Sequence, residues 1–182
     1  MMPFAEYVAG LKFHTVQPET PSPQWWIDAG SQDSTAFELA NLSLPTMEAE
    51  IKDRLRHVSC KRMSTLANGA LINYGVACLA PESCYVNVGI WQGFSLLAGM
   101  IGNPDKCCIG VDNFSLALIP AEIESVRDRI ATNASNVHHL WSMDYAEYLT
   151  TIHKQPIGFY FYDGDHNYSH QLRGLQLAEK FF

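Results

Sequence analysis

The chain has 182 residues, of which 47% are hydrophobic and 17% charged, and its formal net charge is −7. A chain of this size can bury a core without disulfides or metal ions. Its composition excludes a collagen, a coiled coil and a disulfide scaffold. Its acidic balance, without a basic run, excludes a nucleic-acid-binding arm, so we expect no nucleic-acid partner.

Five cysteines occur without a Cys-x-x-Cys spacing. This odd number supports neither a zinc ribbon nor a disulfide framework, so we expect reduced, buried thiols and a cytoplasmic protein. Residues 1–13 lack a cationic start followed by an apolar run, so no signal peptide is predicted. The most apolar stretches, residues 69–80 and 88–101, are shorter than the ~18 residues of a membrane span, and we expect no membrane partner.

Residues 1–80 are predicted to form a separate loop and helical cap. Residues 1 to about 45 look irregular, and three prolines between Gln17 and Pro23 indicate a loop. The sequence Asp33-Ser-Thr is a capping signal for a short helix, and apolar spacing indicates two longer ones. These helices are predicted over residues 36–41, 46–56 and 63–79.

Residues 81–182 alternate four times between short apolar runs and helical patterns. Near-continuous apolar runs are typical of parallel strands covered by helices on both faces. The sequence therefore predicts an α/β fold, a three-layer sandwich around a parallel sheet. The predicted strands are residues 84–90, 106–112, 137–143 and 157–162, and the predicted helices are 95–101, 119–132, 145–153 and 168–182.

Candidate ligand residues follow the four strands, because ligands of open parallel sheets bind outside the carboxyl ends. After the first strand, Gly89 and Gly93 let the backbone turn tightly and approach a ligand. Asp112 follows the second strand at a spacing where a carboxylate can bind a ribose diol. The third strand is followed by Ser-Met-Asp at 142–144, and the fourth by Asp-Gly-Asp-His at 163–166.

The glycine turn lacks the GxGxxG spacing that cradles a pyrophosphate and the GxxxxGK[ST] loop of nucleoside triphosphate sites. A nicotinamide-dependent oxidoreductase is therefore disfavoured. The turn, the ribose-binding acid and the acid after the third strand fit a nucleoside with a small charged tail, such as S-adenosylmethionine. Because glycine is common in any strand-to-helix turn, the prediction depends on all four strand ends together.

From about Tyr85 to its end, the chain resembles class I S-adenosylmethionine-dependent methyltransferases, and most closely the branch with a DGDHxY motif after the fourth strand. The resemblance implies a Rossmann-like sheet of strand order 3-2-1-4, with the later strands missing, following an N-terminal helical segment. It also implies methyl transfer to a small-molecule acceptor. The matching segments are residues 85–95, 108–113, 143–145 and 159–168.

The resemblance also implies roles for the residues at the strand ends. The turn from Gly89 to Gly93 is expected to line the methionine part of the cofactor, and Asp112 to bind the ribose hydroxyls. Asp144 or its neighbours would bind the adenine amine. The family's acid two residues before the first glycine is Asn87 here, which predicts weaker binding. The candidate cofactor-binding residues are Asn87, Gly89, Ile90, Trp91, Gly93, Ser95, Asp112, Asn113, Met143, Asp144 and Asp163.

His166 and Asp163 are the candidate catalytic residues. An imidazole changes its charge near neutral pH, so His166 is a candidate base for an acceptor hydroxyl, the alternative being a histidine that only orders its loop. Asp163 and Asp165 are placed to orient it or to hold a divalent cation, and related O-methyltransferases use magnesium in this region. A zinc pair formed by His166 and His170 is a further alternative.

Other polar residues have structural interpretations. We expect His138 or His139 to face a helix and be buried, and His153 to end a helix as a cation. Residues 61–64 are either a solvated basic patch or a lining of the cofactor site. Trp91 is a candidate wall of the acceptor pocket.

Two functions remain after these considerations. The first is O-methylation of a small hydroxylated acceptor, either a sugar or a secondary metabolite. The second is a catalytically silent cofactor-binding or scaffold domain, which the missing strands favour. Without those strands the fourth strand is an exposed apolar edge, which favours a homo-oligomer or a covering segment.

Overall fold

The computed structural model describes residues 2–9, 13–15, 39–41, 54, 60, 62, 64, 66–115 and 119–182. The strands are β1 (Phe13–Thr15), β2 (Leu39–Asn41), β3 (Cys84–Val88), β4 (Cys107–Val111), β5 (His138–Trp141) and β6 (Ile157–Tyr162). The helices are α1 (Phe4–Ala9), α2 (Leu66–Ala77), α3 (Phe94–Met100), α4 (Pro120–Asn133), α5 (Tyr145–Glu147) and α6 (Tyr168–Ala178). A π-helical turn, Tyr148–Ile152, follows α5, and a 3-10 turn, Glu179–Phe181, follows α6.

The central feature is a four-stranded parallel sheet of order β5-β4-β3-β6. Counted along this sheet, the order is 3-2-1-4, so the predicted Rossmann-like α/β fold is confirmed. Every residue of β3 is buried, as expected for a central strand with helices on both faces. Because Val88 is paired with Val111 and with Tyr162, the strands β3, β4 and β6 end at the same level.

Two hydrophobic cores lie on opposite faces of this sheet. Successive residues of β3 belong to different cores, because successive side chains of a strand point to opposite faces. Tyr85 lies in the first core and Val86 in the second. The first core packs against α2, α3 and α4, and the second against the π-helical turn and α6. The sheet is therefore the middle of three layers.

The helix predicted over residues 145–153 is not a regular α-helix. It begins as α5 and continues as the π-helical turn. Thr150 and Thr151 donate hydroxyl hydrogen bonds to the carbonyls of Ala146 and Glu147 at 2.6 and 2.7 Å. Threonine hydroxyls compete in this way with the regular i to i−4 ladder of an α-helix.

The N-terminal predictions are only partly tested. Leu39–Asn41 was predicted to be helical, and this is wrong: it forms β2, antiparallel to Phe13–Thr15. A partner strand distant in sequence overrides the local capping signal, and the irregular segment also contains α1. The predicted loop at 17–23 and the helix over 46–56, apart from residue 54, lie outside the described residues. The division at residue 80 stays a prediction.

In the parts of the chain that the structure describes, no helix has both the length and the apolar character needed to cross a membrane.

Candidate functional site

The carboxyl ends of the four parallel strands are joined by the backbone immediately beyond them. The amides of Gly89, Asp112 and Asp163 donate to the carbonyls of Val111, Trp141 and Val88 at 2.9, 3.1 and 2.8 Å, respectively. These bonds continue the sheet past its last paired residues and place the predicted site segments side by side. The structure thus brings the glycine turn, Asp112 and Asp163 together.

The glycine turn, residues 89–93, needs both of its glycines. Gly89 and Gly93 have φ of 76° and 96°, in the left-handed region that side chains disfavour. A Cβ on Gly89 would lie only 2.3 Å from the backbone oxygen of Asp163, so the turn and the end of β6 approach each other closely. Trp91 between them also has a positive φ, 43°, which other contacts must stabilise.

Asp112 supplies those contacts. Its Oδ2 accepts hydrogen bonds from the amides of Ile90 and Trp91 at 2.8 and 3.0 Å, and its Oδ1 accepts one from Phe114 at 2.7 Å. A carboxylate has about four lone-pair positions, so these three bonds leave capacity for one more donor. The predicted bond to a ribose hydroxyl stays a prediction, and the clamp on the glycine turn is a role that the sequence did not reveal.

Asn87 lies directly beneath the turn and is fully buried. Its Oδ1 accepts a hydrogen bond of 2.7 Å from the Ser95 hydroxyl, and its Nδ2 lies 3.4 Å from the Gly89 carbonyl. The two residues form a polar pair between β3 and the start of α3. The predicted contact of Asn87 with the cofactor's amino group stays a prediction.

Two arginines of α4 contact neighbouring loops, and the sequence did not predict these contacts. Arg129 donates to the carbonyl oxygen of Gln92 in the glycine turn at 2.9 Å. Arg127 donates to the Ser142 hydroxyl at 3.0 Å. The sequence shows that the helix predicted over residues 119–132 has polar residues. It does not show which of them reach the glycine turn.

The side chains that follow β5 and β4 make contacts within the protein. Asp144 is the N-cap of α5, and its Oδ1 accepts from the amides of Ala146 and Glu147 at 2.8 and 3.2 Å. Asn113 is exposed and accepts from the amide of Ser115. Met143 packs against the second core. Their predicted contacts with adenine and ribose stay predictions.

His166 and Asp163 form the polar pair at the end of β6. Nε2 of His166 lies 3.1 Å from Oδ1 of Asp163, and the two side chains are 74% and 54% exposed. Asp165 beside them accepts from the Asn167 backbone amide, and this bond lowers the pKa of the Asp165 carboxyl. The pair is therefore in contact and open to a ligand.

Two tyrosines, Tyr145 and Tyr162, form an aromatic wall beside Asp165 and His170. The two rings pack edge to face with centroids 5.4 Å apart, and the Tyr145 hydroxyl lies 3.3 Å from Nδ1 of His170. The Tyr162 hydroxyl donates to the backbone oxygen of Asp165. The sequence predicts Tyr145 in a helix and Tyr162 in a strand but does not show that the two rings meet.

The described residues do not fit the predicted metal sites. No group of three or more histidine, cysteine, aspartate or glutamate side chains among them is arranged to hold a metal ion. His170 instead lies 3.9 Å from Asp165, and Asp163 contacts His166. We therefore derive no step through magnesium at Asp163 and Asp165 and no zinc pair.

Two other histidines are buried in neutral form. His138 faces the interior while His139 is exposed, as expected for adjacent strand residues. His153 ends the π-helical turn, as predicted, but the prediction that it is a cation is wrong: it is 4% exposed, and burial lowers its pKa. Its Nδ1 accepts from the Tyr148 hydroxyl, and its Nε2 donates to the Gln155 carbonyl.

Segment 61–64 is described only at Arg62 and Ser64. Arg62 is 7% exposed and its guanidinium lies 5.7 Å from the centre of the Phe94 ring at the start of α3. A solvated patch is therefore wrong for Arg62, whose cation is buried beside the helix that follows the glycine turn.

Comparisons with known proteins found two similarities. A family model described as a methyltransferase domain matches residues 86–182, which include the glycine turn, Asp112 and the pair at the end of β6. A crystal structure titled as cofactor-bound Rv0187 from MTB has 16% identity and a TM-score of 0.49, covering 88% of this chain and 70% of that one. No curated protein matches the sequence. Since the family model spans more than half of the chain, this protein belongs to the methyltransferase domain family.

Proposed function

We propose that the chain is a class I S-adenosylmethionine-dependent O-methyltransferase that acts on a small hydroxylated acceptor. The observation that carries this proposal is the contact between the glycine turn and the end of β6. A Cβ on Gly89 would meet the Asp163 backbone, while the Asp163 side chain reaches His166. A cofactor seated on the turn would therefore lie beside an acid–base pair.

The residues present fit such a cofactor. Two glycines with positive φ let the backbone of the turn bend tightly, and Asp112 holds two of its amides in place. Asp112 keeps capacity for one donor after its three amide bonds, which suits a ribose hydroxyl. Asp144 lies after the adjacent strand, at the same edge of the sheet, on the side expected for the adenine.

When bound, S-adenosylmethionine supplies an electrophilic methyl group on a sulfonium. The main work of the protein is to place the acceptor oxygen in line with that methyl group. Nε2 of His166 contacts Asp163, so Nδ1 is the nitrogen left to accept the acceptor's proton. Asp163 then stabilises the imidazolium and fixes the ring's orientation.

The aromatic wall near the end of β6 supports a small acceptor with an apolar part. Tyr145 and Tyr162 offer ring surface beside Asp165 and His170. Aromatic rings pack against a phenol or against the apolar face of a sugar. The neighbouring polar groups, Asp165 and His170, can accept hydrogen bonds from the hydroxyls of such an acceptor.

A transfer assay with labelled S-adenosylmethionine and a panel of phenols, catechols and glycosides tests the proposal. We expect label in at least one hydroxyl acceptor, and a rate loss of roughly 10²–10⁴-fold in His166→Ala, the usual effect of removing a general base. His139→Ala is the matched control, because His139 is an exposed histidine of β5, and we expect an unchanged rate.

Two outcomes would count against the proposal. A full rate in His166→Ala would remove His166 from the reaction and leave it a loop-ordering role. Cofactor binding without transfer to any acceptor would favour the alternative, a catalytically silent cofactor-binding domain.

A further inference from the structure

The amino ends of β3 and β4 place two cysteines side by side. Cys84 begins β3, Cys107 begins β4, and the two are directly paired in the parallel register. Paired residues of neighbouring strands project from the same face of a sheet, with backbones about 4.8 Å apart. That spacing lies within the range of about 4.4–6.8 Å between the Cα atoms of a disulfide.

The two thiols differ in ways that suit a nucleophile and its resolving partner. Cys84 is fully buried, whereas Cys107 is partly exposed. The Cys84 thiol donates to the Pro156 carbonyl at 3.4 Å, and the Cys107 thiol to the Gln155 side-chain oxygen at 3.3 Å. The neighbouring Cys84 lowers the pKa of Cys107, while Cys107 and burial raise the pKa of Cys84. A thiolate forms more readily at Cys107, where an oxidant can reach it.

We propose that Cys84 and Cys107 are a peroxide-sensitive dithiol that forms a reversible cross-strand disulfide. The Cys107 thiolate attacks one peroxide oxygen, the O–O bond breaks, and Cys107 becomes a sulfenic acid while hydroxide or alkoxide leaves. The Cys84 sulfur then attacks the Cys107 sulfur. An S–S bond forms, the S–O bond breaks, and the hydroxyl departs as water with the Cys84 proton. The two sulfurs lose two electrons, which the peroxide accepts.

The neighbouring cysteine is a poor competitor. Cys108 is adjacent to Cys107 in sequence, but it faces the opposite core, and burial raises its pKa to about 12. Its sulfur therefore stays protonated and points away from Cys84, which belongs to the second core.

The disulfide would constrain the part of the chain that carries the glycine turn. The loop it closes runs from Cys84 to Cys107 and contains residues 89–93 and α3. Closing a loop restricts the unfolded chain more than the folded one, so oxidation should raise thermal stability. The link lies at the opposite end of the sheet from His166, and the proposal does not depend on the proposed function.

Titration of the full chain with hydrogen peroxide, followed by intact mass, peptide mapping and thermal unfolding, tests the proposal. We expect the loss of two hydrogen atoms, a peptide linking Cys84 to Cys107, a raised unfolding temperature, and reversal of all three by dithiothreitol. In Cys84→Ala, the mass should instead rise by oxygen at Cys107, without a rise in unfolding temperature. Cys78→Ala, which removes a partly exposed cysteine at the end of α2, should behave as the unchanged chain.

Three results would overturn the proposal. The first is a disulfide that joins Cys107 to Cys108 or to a second molecule. The second is the same loss of two hydrogen atoms in Cys84→Ala. The third is a reduced chain whose mass peroxide leaves unchanged. Circular dichroism of each variant shows whether it is folded before the titration. Alkylation of the untreated protein shows separately whether Cys107 is the accessible thiol of the pair.

Discussion

The two ends of the parallel sheet differ in the exposure of four polar side chains. At the carboxyl end, Asp163 and His166 form a pair whose side chains are 54% and 74% exposed. At the amino end, Cys84 and His153 are 0% and 4% exposed. Of these four residues, the two at the carboxyl end are reachable and the two at the amino end are buried. We therefore expect ligand binding to depend on the first two and acid stability on buried histidines such as His153.

The largest expected effect concerns the contact that builds the carboxyl end. In Gly89→Ala, a positive φ and a Cβ 2.3 Å from the Asp163 backbone should together reduce the free energy of unfolding by about 2–5 kcal/mol. Gly93→Ala is the matched variant, because its φ is also positive but its nearest neighbours lie 3.6 Å away. We expect it to lose only about 1–2 kcal/mol. Equal losses in urea unfolding would show that the close approach to Asp163 does not shape the turn.

The second prediction concerns acid stability and the buried histidines. His138 accepts the Ser135 amide at Nδ1 and donates to the Asn103 carbonyl, and His153 has equivalent partners, so both are held neutral. Burial lowers the pKa of each, so below about pH 6.5 the unfolded chain binds more protons than the folded one. Stability should fall as the pH drops below that value, by at most about 1.4 kcal/mol per pH unit for each histidine.

Urea unfolding at several pH values measures this slope. His153→Gln should make it shallower, while His139→Gln, at an exposed position of β5, should leave it unchanged. A slope that is the same in all three proteins would contradict the assignment of neutral, buried histidines.

The smallest expected effect separates the two roles of Asp144. Its N-cap bonds to α5 predict a loss of about 1 kcal/mol in Asp144→Ala, as for other capping residues. Asp144→Ser keeps a capping oxygen but no carboxylate, so it should retain most of the stability. If both variants bind S-adenosylhomocysteine like the unchanged chain, Asp144 is a cap and not an adenine ligand.

The sequence predicts the sheet well because each of its strands has local signals. Ile157–Tyr162 was predicted with its observed bounds, since an apolar run lies between Pro156 and Asp163. β2 was missed because its partner, β1, lies far away in sequence, and pairing of that kind leaves no local signal.

The site was predicted less completely than the fold. The residue types at the strand ends indicated a nucleoside site, but the clamp of Asp112 on Trp91 depends on where the turn's amides point. The contact of Arg129 with Gln92 depends on how α4 packs beside the turn. Three-dimensional packing determines both contacts, so residue spacing alone could not reveal them.

The central claim is that the carboxyl end of the sheet binds S-adenosylmethionine through the glycine turn and Asp112. Isothermal titration of the full chain with S-adenosylhomocysteine tests it most directly. We predict binding that Asp112→Ala weakens roughly 10- to 100-fold, as expected when a hydrogen bond to a charged group is lost. Asp105→Ala, at an exposed aspartate before the other end of β4, should not change it. A folded chain that shows no binding, or equal affinity in Asp112→Ala, would contradict the account.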